Sequence, residues 1–168
     1  RIMNDRGQEV PPGEVGELWI AGPMVAPGYW NDPEASEKSF VAGYWRSGDA
    51  GSIDADGFVR IHDRIKDMII RGGENVYSAE LENVIYNCPG VTECAVVGHP
   101  DPGLGGKSHA IVYSAGGSVD AARIRSFCAE RVADYKVPDF VTIRLEPLPR
   151  NANGKILKAQ LRAQVAGD

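Results

Sequence analysis

Hydrophobic and polar positions change their rhythm near residue 65. Before it, short apolar runs are broken by glycine and proline, which reads as strands and turns. Glu17-Leu18-Trp19-Ile20 follows Pro11-Pro12-Gly13, and residues 51–61 read as a hairpin turning at Asp54-Ala55-Asp56-Gly57. Between them Asp32 is placed to cap a short helix, with Pro33 at its first position and Glu34 and Glu37 near its positive end. Trp19, Trp30 and Trp45 are expected to pack this β-rich region.

After Lys66 helical and strand periods alternate. Ser78 is expected to cap a helix through Asn87, with Leu81, Val84 and Ile85 on one face and Cys88-Pro89-Gly90 ending it. Strands are predicted at 93–98 and near 108–113, on either side of Pro100-Asp101-Pro102-Gly103. Ser118 is expected to open a second helix, in which Ile124, Phe127, Cys128 and Val132 recur at helical spacing. A strand at 140–145 and an amphipathic helix from about 157 (Leu157, Leu161, Val165) complete the pattern. The expected class is α+β: a β-rich segment over 1–65, then a small α+β domain over 66–168 with a few-stranded central sheet flanked by helices. The boundary falls at 63–67, and no internal repeat interrupts the pattern.

Composition narrows the function more than the fold. Hydrophobic residues make up 43% of the 168 and charged residues 24%, ordinary for a soluble globular protein. A net charge of −5 argues against a nucleic-acid-binding surface spread over the whole chain. No apolar run approaches the roughly 20 residues of a membrane helix. Arg1-Ile2-Met3-Asn4-Asp5 does not resemble a signal peptide, and the lack of an initiator Met reads as a chain that begins within a longer protein. Cys88, Cys94 and Cys128 have no metal-ligand spacing, so zinc is not expected; an odd number suits free thiols in a reducing compartment, the cytoplasm by default.

Several polar positions could carry chemistry, and each has a plainer reading. In Ser47-Gly48-Asp49 a carboxylate beside a glycine can accept two hydrogen bonds from a vicinal diol, or can simply close a turn. Arg64 offers a fork for phosphate or ribose oxygens, or a surface ion pair with Asp63 or Asp67. The paired glycines of Arg71-Gly72-Gly73-Glu74 allow close backbone approach, or a hairpin turn. Tyr135 could stack on a base and Lys136 meet a phosphate. Nine Lys/Arg against four acids over residues 123–162 suit a polyphosphate, or a solvated face. Lys155, after Gly154, is either an exposed lysine or a cation for a transition state. His62, His99 and His109 fall singly, without a nucleophile at a recognisable spacing.

Three segments in order, Tyr44-Trp45-Arg46-Ser47-Gly48-Asp49, Asp63-Arg64-Ile65-Lys66-Asp67 and Pro149-Arg150-Asn151-Ala152-Asn153-Gly154-Lys155-Ile156-Leu157-Lys158, lie about 15 and 90 residues apart. Together they resemble the back third of the adenylate-forming enzymes: acyl-CoA synthetases, luciferases and peptide-synthetase adenylation domains. The likeness runs from Gly16-Glu17-Leu18 and Gly28-Tyr29-Trp30 to Lys155. It implies that residues 1–65 end a large domain with a distorted β-barrel, and that the rest is a mobile lid.

The resemblance also implies roles. Asp49 would bind ribose, Arg64 would approach the nucleotide, and Lys66 would be the hinge. Gly72 and Gly73, with Glu74, would line the passage for pantetheine, and Tyr135 and Lys136 would border the CoA nucleotide. Lys155 would stabilise attack of a carboxylate on the α-phosphorus of ATP, with Mg2+ as ATP's companion and CoA as acceptor. The departures are Ser47 where many members have Thr, Val137 and Asp139 where some have basic residues, and Gly106 where Glu or Gln is common.

The implied activity is an ATP-dependent acid–CoA ligase acting on a fatty or aryl acid. The phosphate-cradling loop, the metal ligand and the acid pocket would lie in the missing N-terminal domain of the same chain, so the 168 residues alone are expected to be inactive. Loading of a carrier-protein thiol is the neighbouring alternative, and a non-catalytic nucleotide-binding module is the alternative outside catalysis.

Overall fold

A computed structural model describes residues 1–165 and separates the chain into two units, Arg1–Lys66 and the part from Asp67 onward. The first contains β1 (Ile2–Met3), β2 (Gly16–Ile20), the short helix α1 (Pro33–Ser39), β3 (Phe40–Val41), β4 (Tyr44–Ile53) and β5 (Val59–Arg64). The ten-residue β4 is the spine of an antiparallel sheet. One edge of β4 pairs with β2, and the other takes β3 and then β5 along its length. The sheet stays open, and among the described residues no pairing closes it into a barrel. The predicted turn closes β4 onto β5, with Asp54 Oδ1 accepting from the N–H groups of Asp56 and Phe58. Asp32 caps α1 as expected, accepting from Ala35 N–H at 3.0 Å.

Tryptophan packing follows the strands. Trp19 and Trp45 lie on β2 and β4 and are partly buried, whereas Trp30 is 97% exposed. It sits between β2 and α1, where no strand face draws a side chain inward, so the expectation that all three pack fails for Trp30.

The second unit contains β6 (Ile69–Arg71), β7 (Glu74–Val76), α2 (Ser78–Tyr86), β8 (Glu93–Asp101), β9 (Gly105–Tyr113), α3 (Ala121–Ala129), β10 (Phe140–Arg144) and α4 (Lys158–Val165). Its central sheet runs β10-β9-β8, with β8 and β9 antiparallel and β10 parallel to β9 across the α3 connection. Because side chains alternate across a strand, β8 and β9 bury both faces. Cys94, Val96, Ala110 and Val112 pack with Leu81 and Ile85 of α2 and with Ile124 and Cys128 of α3. Ala95, Val97 and Ile111 pack instead with Leu148 and with Leu161 and Val165 of α4. All three cysteines are buried free thiols; burial pushes Cys94 upward and Cys128 up to about 11.

Two helix starts differ from expectation. Ser78 is the first residue of α2, after the cap position Tyr77, and its buried hydroxyl accepts from Lys158 Nζ at 2.8 Å. Ser118 does not open α3: Val119 is buried in the core, and Asp120 caps the helix by accepting from Arg123 N–H at 2.8 Å.

Leu161 is fully buried between α4 and the sheet. Leu161→Ala is expected to cost about 3 kcal/mol by urea unfolding. A loss below about 1 kcal/mol would mean that α4 contributes little to this core.

Candidate functional site

In the first unit the residues singled out by sequence converge at one position of the sheet. Asp49 and Arg64 are direct neighbours across β4 and β5, and Arg64 Nε lies 2.8 Å from Asp49 Oδ1. Arg64 therefore pairs with Asp49 rather than Asp63 or Asp67. Gly48 lies within β4 where the register against β2 shifts, and its φ of +72° is a left-handed conformation that glycine adopts without strain. Ser47 Oγ donates to Leu18 O at 2.7 Å and accepts from Asp49 N–H at 3.0 Å, anchoring this corner to β2. Glu17 holds the same corner by accepting from Arg46 and from Gly48 N–H. The result is a largely buried carboxylate, 24% exposed, with a half-exposed guanidinium at its side, the one able to accept from hydroxyl donors and the other to donate to an anion.

Lys66 lies in a single 3-10 turn, Ile65–Asp67, at the last position of the first unit. The next residue, Asp67, is bound to the second unit through Arg162 of α4, at 2.9 Å.

In the second unit Gly72 and Gly73, with φ of +60° and +90°, form the two-residue turn of the β6–β7 hairpin. Gly72 N–H donates to Leu104 O at 2.8 Å, fixing this turn against the β8–β9 connection, and Glu74 is exposed beside it. The hairpin lies close over β9 because Gly106 has no side chain: an added Cβ would stand 3.1 Å from Ile70 O.

Basic residues of this unit are mostly engaged. Lys136 Nζ contacts both oxygens of Glu80, at 2.8 and 2.7 Å. Burial lowers the Lys136 pKa, but Glu80 outweighs it and the net shift is upward. Tyr135 packs against the core under α2 and α3. Lys158 pairs with Glu82 at 2.6 Å, Lys107 with Asp101 at 2.6 Å and Arg71 with Asp139 at 2.8 Å. Of the four lysines after Asp67, Lys155 alone has no acidic partner among the described residues, and it is exposed. It stands at the end of a tight turn. Asn151 N–H donates to Lys155 O at 2.9 Å, and Asn151 Oδ1 accepts from Lys155 N–H at 2.9 Å. Gly154 turns the chain with a φ of +79°, and Ile156 follows into the core beneath α4.

Sequence reasoning missed the acids that organise these elements. Glu82 binds Lys158 and accepts from Val96 N–H, Glu93 binds Arg150, and Asp139 accepts from Arg71 and from Ser108 N–H and Oγ–H. Isolated acids on a helix or strand have no spacing signal that could have marked them.

Residues 80–155 match the profile of the AMP-binding enzyme C-terminal domain. The chain is 45% identical over 163 residues to a feruloyl-CoA synthase of Amycolatopsis sp., covering 96% of this chain and 33% of that protein. It is 42% identical over 169 residues to the fatty acid–[acyl-carrier-protein] ligase ScoC of Streptomyces coeruleorubidus, covering 100% and 32%. Among solved structures, o-succinylbenzoate CoA synthetase from Bacillus subtilis in complex with its acyl-adenylate intermediate superposes with a TM-score of 0.89 at 40% identity, covering 96% and 33%. The chain thus spans about a third of the length of these relatives.

Burial pushes the Asp139 carboxyl up, but Arg71 and Ser108 outweigh it and hold it below the usual carboxylate range. A depressed native pKa contributes stability above the unfolded value of about 3.9, lost as pH falls through the native one. Asp139→Asn is therefore expected to lose about 2 kcal/mol at pH 7 by urea unfolding. Its deficit against wild type should close as the pH falls below about 4.

Proposed function

We propose that this chain, whose residues 80–155 match the profile of the AMP-binding enzyme C-terminal domain, is the C-terminal third of an ATP-dependent acid–CoA ligase. A carboxylate attacks the α-phosphorus of ATP, giving acyl-AMP and pyrophosphate; CoA thiolate then attacks the acyl carbon and releases AMP. The observation that carries this reading is the exposed Lys155, without an acidic partner among the described residues, on a turn tied by Asn151. A cation touching the carboxylate and phosphate oxygens stabilises the charge that gathers between them in the transition state.

The other residues fit complementary roles. Asp49 accepts from the ribose hydroxyls while Arg64 aligns it and approaches the phosphate. Lys66 is the hinge between half-reactions, supported by the tie of Asp67 to α4 immediately beyond it. The turn at Gly72 and Gly73, with Glu74, presents a backbone without side chains to pantetheine. Tyr135 and Lys136 border the CoA nucleotide, and Lys136 reaches a phosphate only by giving up Glu80.

No group of three or more His, Cys, Asp or Glu among the described residues could hold a metal, so the Mg2+ of ATP is assigned to no residue here. No helix among the described residues is long and apolar enough to cross a membrane, and the buried free thiols suit the cytoplasm. The likeness to ScoC favours a second reading, in which a carrier-protein thiol replaces CoA.

Carboxylate-dependent ATP–pyrophosphate exchange in the full-length enzyme, across aryl and fatty acids, tests the proposal. Lys155→Ala is expected to slow exchange by roughly 10²–10³. Thiolation of preformed acyl-AMP should survive in that variant, and the acceptor that is acylated, CoA or carrier protein, separates the two readings. The 168-residue chain by itself should give no exchange. Exchange at the wild-type rate in Lys155→Ala would refute the role of Lys155, and no exchange with any acid would point to a non-catalytic module.

A further inference from the structure

The turn that carries Lys155 is held from outside by one ion pair. Arg150 NH2 lies 2.9 Å from Glu93 Oε1 at the start of β8, and Arg150 NH1 donates to the Gly154 carbonyl oxygen. The second oxygen of Glu93 accepts from Leu148 N–H at 2.9 Å. A single carboxylate therefore binds the backbone entering the turn, and through Arg150 the backbone leaving it.

The Gly154 carbonyl belongs to the same peptide plane as the Lys155 N–H. That plane is gripped at both ends, by Arg150 at its oxygen and by Asn151 Oδ1 at its nitrogen. Its orientation sets the direction in which the Lys155 side chain leaves the backbone. Apolar anchors flank the turn at Leu148 and Ile156, both packed in the core beneath α4, but an anchor on either side does not fix the rotation of a glycine-containing turn between them. The fork of Arg150 adds to the bonds within the turn a restraint from outside it, because a planar guanidinium can bind a carboxylate and a carbonyl in one fixed geometry.

We propose that Arg150, held by Glu93, is a positioning residue that orients Lys155 for the adenylation half-reaction. The proposal rests on the reading of Lys155 given above and goes beyond it by naming the device that aims the cation. An isolated, exposed ion pair would be worth little. Here Glu93 is largely buried, both of its oxygens are engaged, and Arg150 in turn donates to the backbone carbonyl that precedes the lysine.

The test uses the full-length enzyme with Arg150→Ala, Arg150→Lys and Glu93→Gln. Arg131→Ala serves as control, since it removes an exposed ion pair at the end of α3. In Arg150→Ala the kcat of ATP–pyrophosphate exchange should fall about tenfold, the effect of a small misplacement of a reacting group. The KM for ATP and the thiolation of preformed acyl-AMP should stay within about twofold of wild type, because the restraint acts on adenylation only. Arg150→Lys, which keeps the charge but loses the fork, should recover little of the loss, and Glu93→Gln should fall between. Hydrogen exchange at the backbone amides of Asn151 and Lys155 should accelerate in Arg150→Ala and not in Arg131→Ala. Unchanged exchange kinetics and unchanged amide protection in Arg150→Ala would overturn the proposal, as would a parallel fall of both half-reactions with a lowered melting temperature. If the wild-type enzyme activates no acid, the reading of the function fails, while amide protection still decides whether Arg150 restrains the turn.

Discussion

Strands β8 and β9 are buried on both faces, and the second unit is organised by that constraint. A strand with one wet face needs a single covering layer; these need two, because Val96 and Val97 point to opposite sides and both are inaccessible to water. Helices α2 and α3 cover one side and α4 the other. Leu148 and Ile156 enter the layer beneath α4, and the six residues 150–155 between them are forced to the surface. Lys155 is exposed because its neighbour Ile156 is not.

Polar groups in this unit follow the same economy of layers. The sheet and helices leave a few backbone N–H groups at their margins, and those groups find carboxylates: Val96 on Glu82, Leu148 on Glu93 and Ser108 on Asp139. Each of these acids also binds a cation, which offsets the cost of holding a carboxylate partly away from water. Lys158, Arg150 and Arg71 are thereby committed to structure, and Lys155, without an acidic partner among the described residues, keeps its charge at the surface. In the first unit the pairing of Asp49 with Arg64 has the same electrostatic logic but a different cause: strand register alone sets them opposite each other.

Legibility in the sequence tracked the range of the interaction involved. Local devices could be read directly. Asp32 before Pro33, the Asp54–Gly57 turn and the glycine pair at 72–73 each specify a conformation through their own backbone or nearest neighbours, and each formed as such. Periodic apolar residues marked α2, α3 and α4 and both long strands, since burial of a face imposes its period on the chain. Helix starts failed at Ser78 and Ser118 because capping competes with tertiary demands: a buried serine that meets Lys158, and a Val119 drawn into the core. Trp30 failed for a related reason, since bulk alone does not bury a residue that lies outside any strand.

By itself the sequence determined the α+β class, the order of the four helices and the long strands of the second unit, and the presence of Asp49, Arg64 and Lys155 in motifs with a chemical reading, because these depend on residue type and short spacing; the short strands β1, β3, β6 and β7 were not legible in it. Only the tertiary structure decided which charges remain available. Glu80, Glu82, Glu93 and Asp139 meet basic partners 56, 76, 57 and 68 residues away in the chain, through packing that brings distant elements together. An electrostatic partner at that separation leaves no periodic trace, and so the difference between an engaged lysine at 158 and one without an acidic partner among the described residues at 155 exists only in the fold.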